Sequence, residues 1–280
     1  MAQNDKQWSS ATPGLLIFLI DQSGSMTLPY QEGKTKSEFA AMAVNACIQN
    51  VLDKNQNGQS FKDRCNIAVL GYDSSVHVLC NGTLSQLSEN YLRLETIAKK
   101  VSDGAGGLVD VTIERPVWVD PIKDDQVTNM KQAFEDAKKL VEKWNERPDS
   151  PAPVIINISD GAPYYDGKSI SICMEETRLV AEEIMNMSNS DGHPLIFNAR
   201  IERDGQKIEF PNDISQCEGA EAQFLYNISS VIPESYKGAA AKNELAMKEG
   251  SRGCIFEADG VQLIKLINFG SSGAQGDRME

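Results

Sequence analysis

Two short apolar runs in this chain each end in a polar, acid-bearing loop. Leu15–Ile20 contains six apolar residues and leads into Asp21. Val154–Ile158 is apolar except at Asn157 and leads into Ser159, Asp160 and Gly161. Apolar runs of this length, bounded by turn residues, are typical of buried β-strands. Both runs therefore predict core strands with a polar loop at the carboxyl end.

Other segments have apolar residues at helical spacing. Within 36–53 these residues are Phe39, Ala40, Ala43, Ala46, Cys47 and Val51. Within 128–144 they are Ala133, Phe134, Ala137, Leu140 and Val141. Both segments are predicted to be helices, and Thr128 is the natural N-cap of the second. Further helices are predicted at 175–187, 218–228, 236–248 and 261–267.

Several strands are predicted to pair with their sequence neighbours. The runs 66–72 and 76–79 flank a tight turn at 73–75, and together they predict an antiparallel edge on the sheet. A strand at 195–201 is expected to pair with 206–211 across Asp204-Gly205.

A glycine-rich turn at 103–107 lies between alternating apolar positions, which indicates an inserted β-hairpin at about 90–120. It lacks the G-x-G-x-x-G spacing of a phosphate-binding loop. Glycine serves a plain turn there by allowing positive φ angles.

Strands and helices alternate with short connections, which favours one α/β domain over residues 14–270. We expect a doubly wound, mostly parallel central sheet with an antiparallel edge strand and helices on both faces. Residues 1–13 are expected to form an N-terminal lead, and the polar, glycine-rich segment 271–280 is expected to be disordered. Ligands of such sheets bind at the carboxyl ends of strands, where Asp21 and Asp160 lie.

The overall charge restricts the partners. The chain has 27 Lys and Arg residues against 40 Asp and Glu residues, for a net charge of −13. This acidity disfavours binding to nucleic acids and anionic membranes.

The remaining composition indicates a soluble cytoplasmic protein. No apolar run approaches the roughly 20 residues that cross a bilayer, and the first residues do not resemble a secretory signal. The six cysteines form no C-x-x-C pair, so we expect reduced thiols rather than disulfides or a zinc site.

The loop after the first strand carries a candidate metal site. Asp21, Ser23 and Ser25 place a carboxylate and two hydroxyls two residues apart, and such oxygen ligands suit Mg²⁺ or Mn²⁺. An octahedral ion needs about six oxygens, so three side chains do not complete the site. Thr128 and Asp160 are the candidates for the additional ligands.

These three segments, in this order, resemble the von Willebrand factor A (VWA) fold and its metal-ion-dependent adhesion site. The resemblance implies that Ser23, Ser25 and Thr128 are hydroxyl ligands. It also implies that Asp21 and Asp160 bind the ion directly or through water, while an acidic side chain of a protein partner takes the remaining position. The helix-opening motif of relatives is commonly Gly-Thr-Pro-Met, whereas residues 127–130 read Val-Thr-Asn-Met. Thr128 is retained.

The C-terminal half narrows the resemblance. The segments 197–198, 210–211, 224–233, 250–253 and 256–259, together with 103–107 and 116–118, are similar to free-standing bacterial cytoplasmic VWA proteins of the tellurite-resistance and stress-response type. Such proteins are often encoded beside a protein kinase and a protein-phosphatase-2C-like protein, which are therefore candidate partners. This implies a divalent-metal-dependent interaction module that acts as a scaffold or regulator. Self-association through the same site is also open.

Enzymatic interpretations find little support, and we expect a protein that is not an enzyme. His77 and His193 accompany no recognisable nucleophile. The P-loop pattern fails because Leu28 stands where a glycine is needed, five positions before Gly33. Asp21 as a phosphoryl acceptor would need a second Asp where Ser23 stands. A metal-dependent phosphate-ester hydrolase and a structural VWA domain that binds no metal are the alternatives.

Overall fold

A computed structural model describes residues 4–31, 33–102, 107–122, 127–202 and 207–272. The strands are β1 (Gly14–Asp21), β2 (Gln56–Asn57), β3 (Ser60–Phe61), β4 (Cys65–Tyr72), β5 (Val76–Thr83), β6 (Arg93–Ser102), β7 (Leu108–Val117), β8 (Val154–Ser159), β9 (Leu195–Arg200), β10 (Ile208–Glu209) and β11 (Cys254–Phe256). The α-helices are α1 (Lys36–Asn55), α2 (Leu84–Glu89), α3 (Met130–Asn145), α4 (Ile170–Asn186), α5 (Ala220–Asn227), α6 (Lys237–Lys242) and α7 (Gly260–Gly270).

A seven-stranded sheet forms the centre, with the strand order β10-β11-β9-β8-β1-β4-β5. β1 is parallel to both of its neighbours, so that Phe18 lies beside Val69 of β4 and Ile156 of β8. β5 runs antiparallel to β4 at one edge. The predicted doubly wound, mostly parallel sheet with an antiparallel edge strand is therefore confirmed.

Apolar side chains leave β1 on both faces of the sheet, which explains its unbroken apolar run. Leu16, Phe18 and Ile20 pack in one core with residues of α1, α2, α6 and α7. Leu15, Ile17 and Leu19 pack in a second core with residues of α3, α4 and α5. The sheet is thus covered by helices on both sides, as predicted.

The winding of the chain reverses between β1 and β8. After β1 the chain passes through α1 on one face of the sheet to reach β4, and it enters β8 from α3 on the other face. Neighbouring strands whose connections lie on opposite faces leave a crevice at their carboxyl ends. Asp21 and Asp160 border this crevice.

Two predictions for the C-terminal half are wrong. β10 pairs antiparallel with β11 rather than with β9, which is itself parallel to β11. β11 is only three residues long, too short to show a periodic pattern. The turn Asp204-Gly205 lies outside the described residues. The helix expected at 236–248 ends at Lys242, and the chain then turns through Glu244, whose φ is +55°.

The predicted β-hairpin is present as a two-stranded sheet of its own. β6 and β7 pair antiparallel from Arg93 and Val117 to Ser102 and Leu108. Four of the five residues of its glycine-rich turn, 103–106, lie outside the described residues. The short helix α2 before the hairpin was not predicted.

The N-terminal segment packs against the domain. Trp8 is buried against Gly14, where a Cβ would lie 2.1 Å from the indole ring, so only glycine leaves room for it. The Asn4 amide donates a 2.9 Å hydrogen bond to the Asp191 carbonyl. At the other end, Ser271 and Ser272 are buried, and the rest of the segment predicted to be disordered lies outside the described residues.

All six cysteines are free thiols, as expected. Across the described residues, no helix has both the length and the apolar character that crossing a membrane requires.

Candidate metal centre

Asp21, the last residue of β1, is buried at the carboxyl end of the sheet. Its Oδ1 accepts a 2.8 Å hydrogen bond from the Ser23 amide, which turns the following loop back over the strand end. Its Oδ2 is buried and has no hydrogen-bond partner among the described residues. A buried carboxylate oxygen without a donor is unfavourable, so this atom is suited to accept a cation.

The loop after Asp21 directs two hydroxyls toward the crevice. Ser23 and Ser25 lie at a 3₁₀ turn, Gly24–Thr27, and their Oγ atoms are 3.1 Å apart. Ser25 Oγ donates a 2.9 Å hydrogen bond to Asp160 Oδ1, across from β1 to the loop after β8. Met26 is fully buried and anchors the turn. Four of the five predicted ligands are therefore connected by hydrogen bonds.

The backbone of Thr128 is joined to the loop after β8, the loop that begins with Asp160. It exchanges two 2.9 Å hydrogen bonds with Tyr164 in the loop after β8, and the Asn129 amide donates to the Asp73 carbonyl at 2.7 Å. Within the described residues the Thr128 hydroxyl has no hydrogen bond. Thr128 is not the cap of α3: the Asn129 side chain accepts from the Gln132 amide, because Thr128 is engaged in the extended bridge to Tyr164.

The structure adds a cation that the sequence interpretation missed. The Lys36 ammonium lies 2.9 Å from Asp160 Oδ2 and 2.8 Å from Glu202 Oε2. Burial disfavours its charge, but the hydrogen bonds to Glu202 and Asp160 outweigh this and raise the pKa of Lys36. The sequence did contain a signal for this lysine. Lys36 precedes Phe39 by three residues and Ala40 by four, which places it on the apolar face of α1. A lysine there needs a buried partner.

The two carboxylates of the site repel each other. Burial, and then the negative charge of Asp160, raise the pKa of Asp21 to about 7. When both are ionised, Asp21 and Asp160 carry two negative charges, against the single positive charge of Lys36. The charges of the cluster are thus balanced only in part.

The donor set fits a hard divalent cation. It consists of carboxylate and hydroxyl oxygens, the ligands that Mg²⁺ and Mn²⁺ prefer. The described ranges contain no group of three His, Cys, Asp or Glu side chains placed to hold a metal ion, so the ligands beyond Asp21 and Asp160 would have to be hydroxyls or water. Ser25 is exposed, which leaves the cluster accessible to an ion and to a partner.

One group of Ser, His and Asp side chains among the described residues does not have the geometry of a catalytic triad. In the turn between β4 and β5, His77 Nε2 lies 3.1 Å from Ser75 Oγ and 3.3 Å from Asp73 Oδ2. A triad needs the serine on one ring nitrogen and the carboxylate on the other, whereas both contacts here use Nε2. The Asp73 carboxylate also accepts from the Ser75 amide at 2.9 Å, so this arrangement stabilises the turn.

No protein-family model matches the chain, and no curated protein matches it. Three solved structures illustrate its likeness to known folds. The D319A mutant of the PilB minor pilin from Streptococcus sanguinis has 10% sequence identity and a TM-score of 0.52, over 95% of this chain and 62% of the pilin. The ArnB paralog VWA2 from Sulfolobus acidocaldarius has 16% identity and a TM-score of 0.36, over 69% of this chain and 36% of that one.

The third structure is the conserved hypothetical protein BatB from Bacteroides thetaiotaomicron, with 13% identity and a TM-score of 0.36, over 67% of this chain and 66% of BatB. The chain therefore spans less than two thirds of the length of each of these three structures. The pilin comparison takes in nearly the whole chain, and at 10% identity it concerns the fold alone.

Proposed function

We propose that this chain is a VWA-type protein-binding module whose affinity for its partner depends on a bound divalent cation, Mg²⁺ or Mn²⁺. One observation carries the proposal. Asp21, Ser23, Ser25 and Asp160 form one cluster at the switch point of the sheet, and a buried oxygen of Asp21 has no donor among the described residues.

Each residue has a distinct role in this proposal. Asp21 and Asp160 would supply negative charge, and Ser23, Ser25 and Thr128 would supply neutral oxygens. The ion would offer an electrophilic point that attracts a carboxylate of the partner. The exposed side of the cluster, at Ser25, is where that carboxylate would approach. Water excluded from the contact would strengthen the attraction between opposite charges.

The sequence resemblance supplies the biological context of the proposal. A scaffold or regulator in a bacterial stress-response system would bind a kinase or a protein-phosphatase-2C-like protein in the cytoplasm. A second copy of the chain is another possible source of the acidic side chain. The net charge of −13 repels the acidic surface of a partner in general. It therefore favours a local contact that the metal ion bridges.

Metal titration by calorimetry tests the first part of the proposal. The wild-type chain should bind Mg²⁺ and Mn²⁺ with one site, and Ser23→Ala should weaken both. Absence of metal-dependent heat in the wild type would support a structural domain that binds no metal. Turnover of p-nitrophenyl phosphate with Mg²⁺, abolished by Asp21→Ala, would instead identify a hydrolase.

Partner binding tests the second part. The candidate partners are a kinase or a protein-phosphatase-2C-like protein, if the neighbouring genes encode one, and a second copy of the chain; each is expected to bind in Mg²⁺ and dissociate in EDTA. Replacing surface acids of the bound partner one at a time should identify one carboxylate whose loss has the same effect as EDTA. Binding that is equal in Mg²⁺ and EDTA would refute the metal-dependent contact.

A further inference from the structure

We propose that Lys36 competes with the divalent cation for Asp160. The Lys36 ammonium must leave the Asp160 carboxylate before this carboxylate can bind the ion. Lys36 would thereby set the cation concentration at which the site loads. This inference rests on the proposed metal site and adds to it a residue outside the adhesion motif.

The contacts of Asp160 carry the argument. Its Oδ1 accepts from Ser25 at 2.9 Å, and its Oδ2 accepts from the Lys36 ammonium at 2.9 Å. Both oxygens are therefore engaged, in contrast to Asp21, whose Oδ2 has no partner among the described residues. The Ser25 hydroxyl can rotate and accept instead of donate, so that it can join Asp160 as a ligand. An ammonium has no such option because it only donates.

Burial makes this competition strong. The side chains of Lys36 and Asp160 are 4% and 7% exposed. Charges in such a place are weakly screened, so a divalent ion and an ammonium on the same carboxylate repel each other strongly. In this proposal, an ion bound by Asp160 displaces the ammonium from the position seen for Lys36.

Glu202 provides the alternative place for the ammonium. It lies two residues beyond the end of β9, contacts Lys36 at 2.8 Å, and is more exposed than Asp160, at 29%. The four-carbon stem of lysine is flexible, and a small rotation lets the ammonium keep Glu202 while leaving Asp160. Binding of the divalent ion would thus change the contacts of Lys36, which would pair with Glu202 alone instead of bridging Asp160 and Glu202.

A purely structural role for Lys36 makes different predictions. A buried ion pair that only joins α1 to the loops after β8 and β9 would stabilise the fold without tuning the site. Its removal would then lower stability and leave cation affinity unchanged or weaker. The competitor role requires that removal of the ammonium tighten binding.

The test is calorimetric titration of the full chain with MgCl₂ and MnCl₂. Lys36→Met keeps the length of the side chain and removes its charge, and it should bind each ion at least about 10-fold more tightly, the range by which residues around metal ligands alter affinity. Glu202→Gln removes the alternative partner, ties Lys36 to Asp160, and should bind at least about 3-fold more weakly. Loss of folding or packing at the site would weaken binding in both variants, so changes of opposite sign would exclude that explanation.

Lys143→Met is the matched control. It removes the same charge near the far end of α3, roughly 20 Å along the helix from Met130, so its effect should be screened and its affinity should stay within about twofold of the wild type. Lys36→Arg keeps a positive charge and should bind no more tightly than the wild type. The rise in melting temperature caused by Mg²⁺ should be larger for Lys36→Met than for the wild type.

The outcomes separate the two proposals. If the wild type binds metal and Lys36→Met binds equally or more weakly, the competitor role is overturned and the proposed metal site stands. If none of the wild type, Lys36→Met and Glu202→Gln responds to metal, the metal site itself is refuted. If Lys36→Met does not fold, Glu202→Gln decides, and affinity equal to or above that of the wild type would overturn the inference.

Discussion

Ser25 and Asp160 are 135 positions apart in the chain, and the Ser25 hydroxyl donates a 2.9 Å hydrogen bond to the Asp160 carboxylate. The contact exists because β1 and β8 are parallel neighbours whose carboxyl ends lie at the same edge of the sheet. The loops that follow the two strands therefore meet. This places two segments of the proposed metal motif against each other.

Ser25→Ala should weaken Mg²⁺ binding without unfolding the protein. The change removes one proposed oxygen ligand and the bond to Asp160, and we expect affinity to fall by about 10-fold or more. Ser25 is exposed, so the melting temperature should change little. Calorimetric titration and thermal melts measure the two effects. Ser74→Ala, an exposed serine in the turn between β4 and β5, should leave the affinity unchanged, and an equal loss in both variants would count against Ser25 as a ligand.

The sequence predicted those parts of the fold and site that local patterns encode. An apolar run buried on both faces indicates a central strand, and Asp21 and Asp160 follow two such runs. The resemblance to the VWA fold then implied which loops meet. The helix cap was misassigned because Thr128 and Asn129 are both good cap residues, and the bridge to Tyr164 decides between them.

Other features depend on packing that no local pattern reveals. The bond of Lys36 to Glu202 joins residues 166 positions apart, and it follows from how the start of α1 lies over the ends of β8 and β9. β10 has two residues, and its partner β11 has three, so their pairing depends on the sheet already formed by β9. Such contacts are decided by tertiary structure rather than by periodicity.

Asn157→Leu should lower the free energy of unfolding by at least about 2 kcal/mol. Asn157 is fully buried in β8, accepts from the Tyr72 hydroxyl at 2.9 Å, and donates to Asn198 Oδ1 at 2.9 Å. Leucine leaves both partners without this bond, and each orphaned buried polar group costs about 1–3 kcal/mol. Urea unfolding measures the change.

A second substitution in the same molecule tests the cause of this loss of stability. Asn157→Leu combined with Tyr72→Phe removes the stranded hydroxyl and should recover part of the lost stability. If the double variant is less stable by the sum of the two single effects, the hydroxyl bond is not the source of the loss.

Replacing residues 95–115 with Asn-Gly should leave the domain folded and its metal affinity within about twofold. β6 and β7 pair with each other in a separate two-stranded sheet, and Val109 and Val111 on this ribbon are exposed. Asn-Gly suits a two-residue hairpin turn between Leu94 and Pro116, which face each other across the ribbon. Differential scanning calorimetry should show a melting temperature within a few degrees of the wild type. The shorter connection changes the entropic part of the free energy of loop closure by only about 1–2 kcal/mol. Loss of cooperative melting would show that the ribbon supports the core.

Asp21→Asn should stabilise the protein in metal-free buffer at pH 8. Burial, followed by the charge of Asp160, raises the pKa of Asp21 to about 7, far above that of an unfolded aspartate. The fold therefore favours the protonated form. This contribution to stability is complete below about pH 4 and is lost as the pH rises through about 7, a change of the order of a few kcal/mol. Asparagine stays neutral at every pH and keeps an oxygen that can accept from the Ser23 amide, now 2.8 Å from Asp21 Oδ1.

Urea midpoints between pH 4 and pH 8 measure this effect. The Asp21→Asn variant should exceed the wild type at pH 8 and match it near pH 4, while the stabilisation by Mg²⁺ at pH 8 should be lost. Asp73→Asn is the opposite control: burial would raise the pKa of Asp73, but its bonds to Ser75 and His77 lower it, so its contribution to stability is present at neutral pH and lost as the pH falls. That variant should therefore be less stable than the wild type at pH 8. A lower midpoint for Asp21→Asn at pH 8 would mean that the charged carboxylate already stabilises the fold without a divalent ion, in conflict with the site proposed for Asp21.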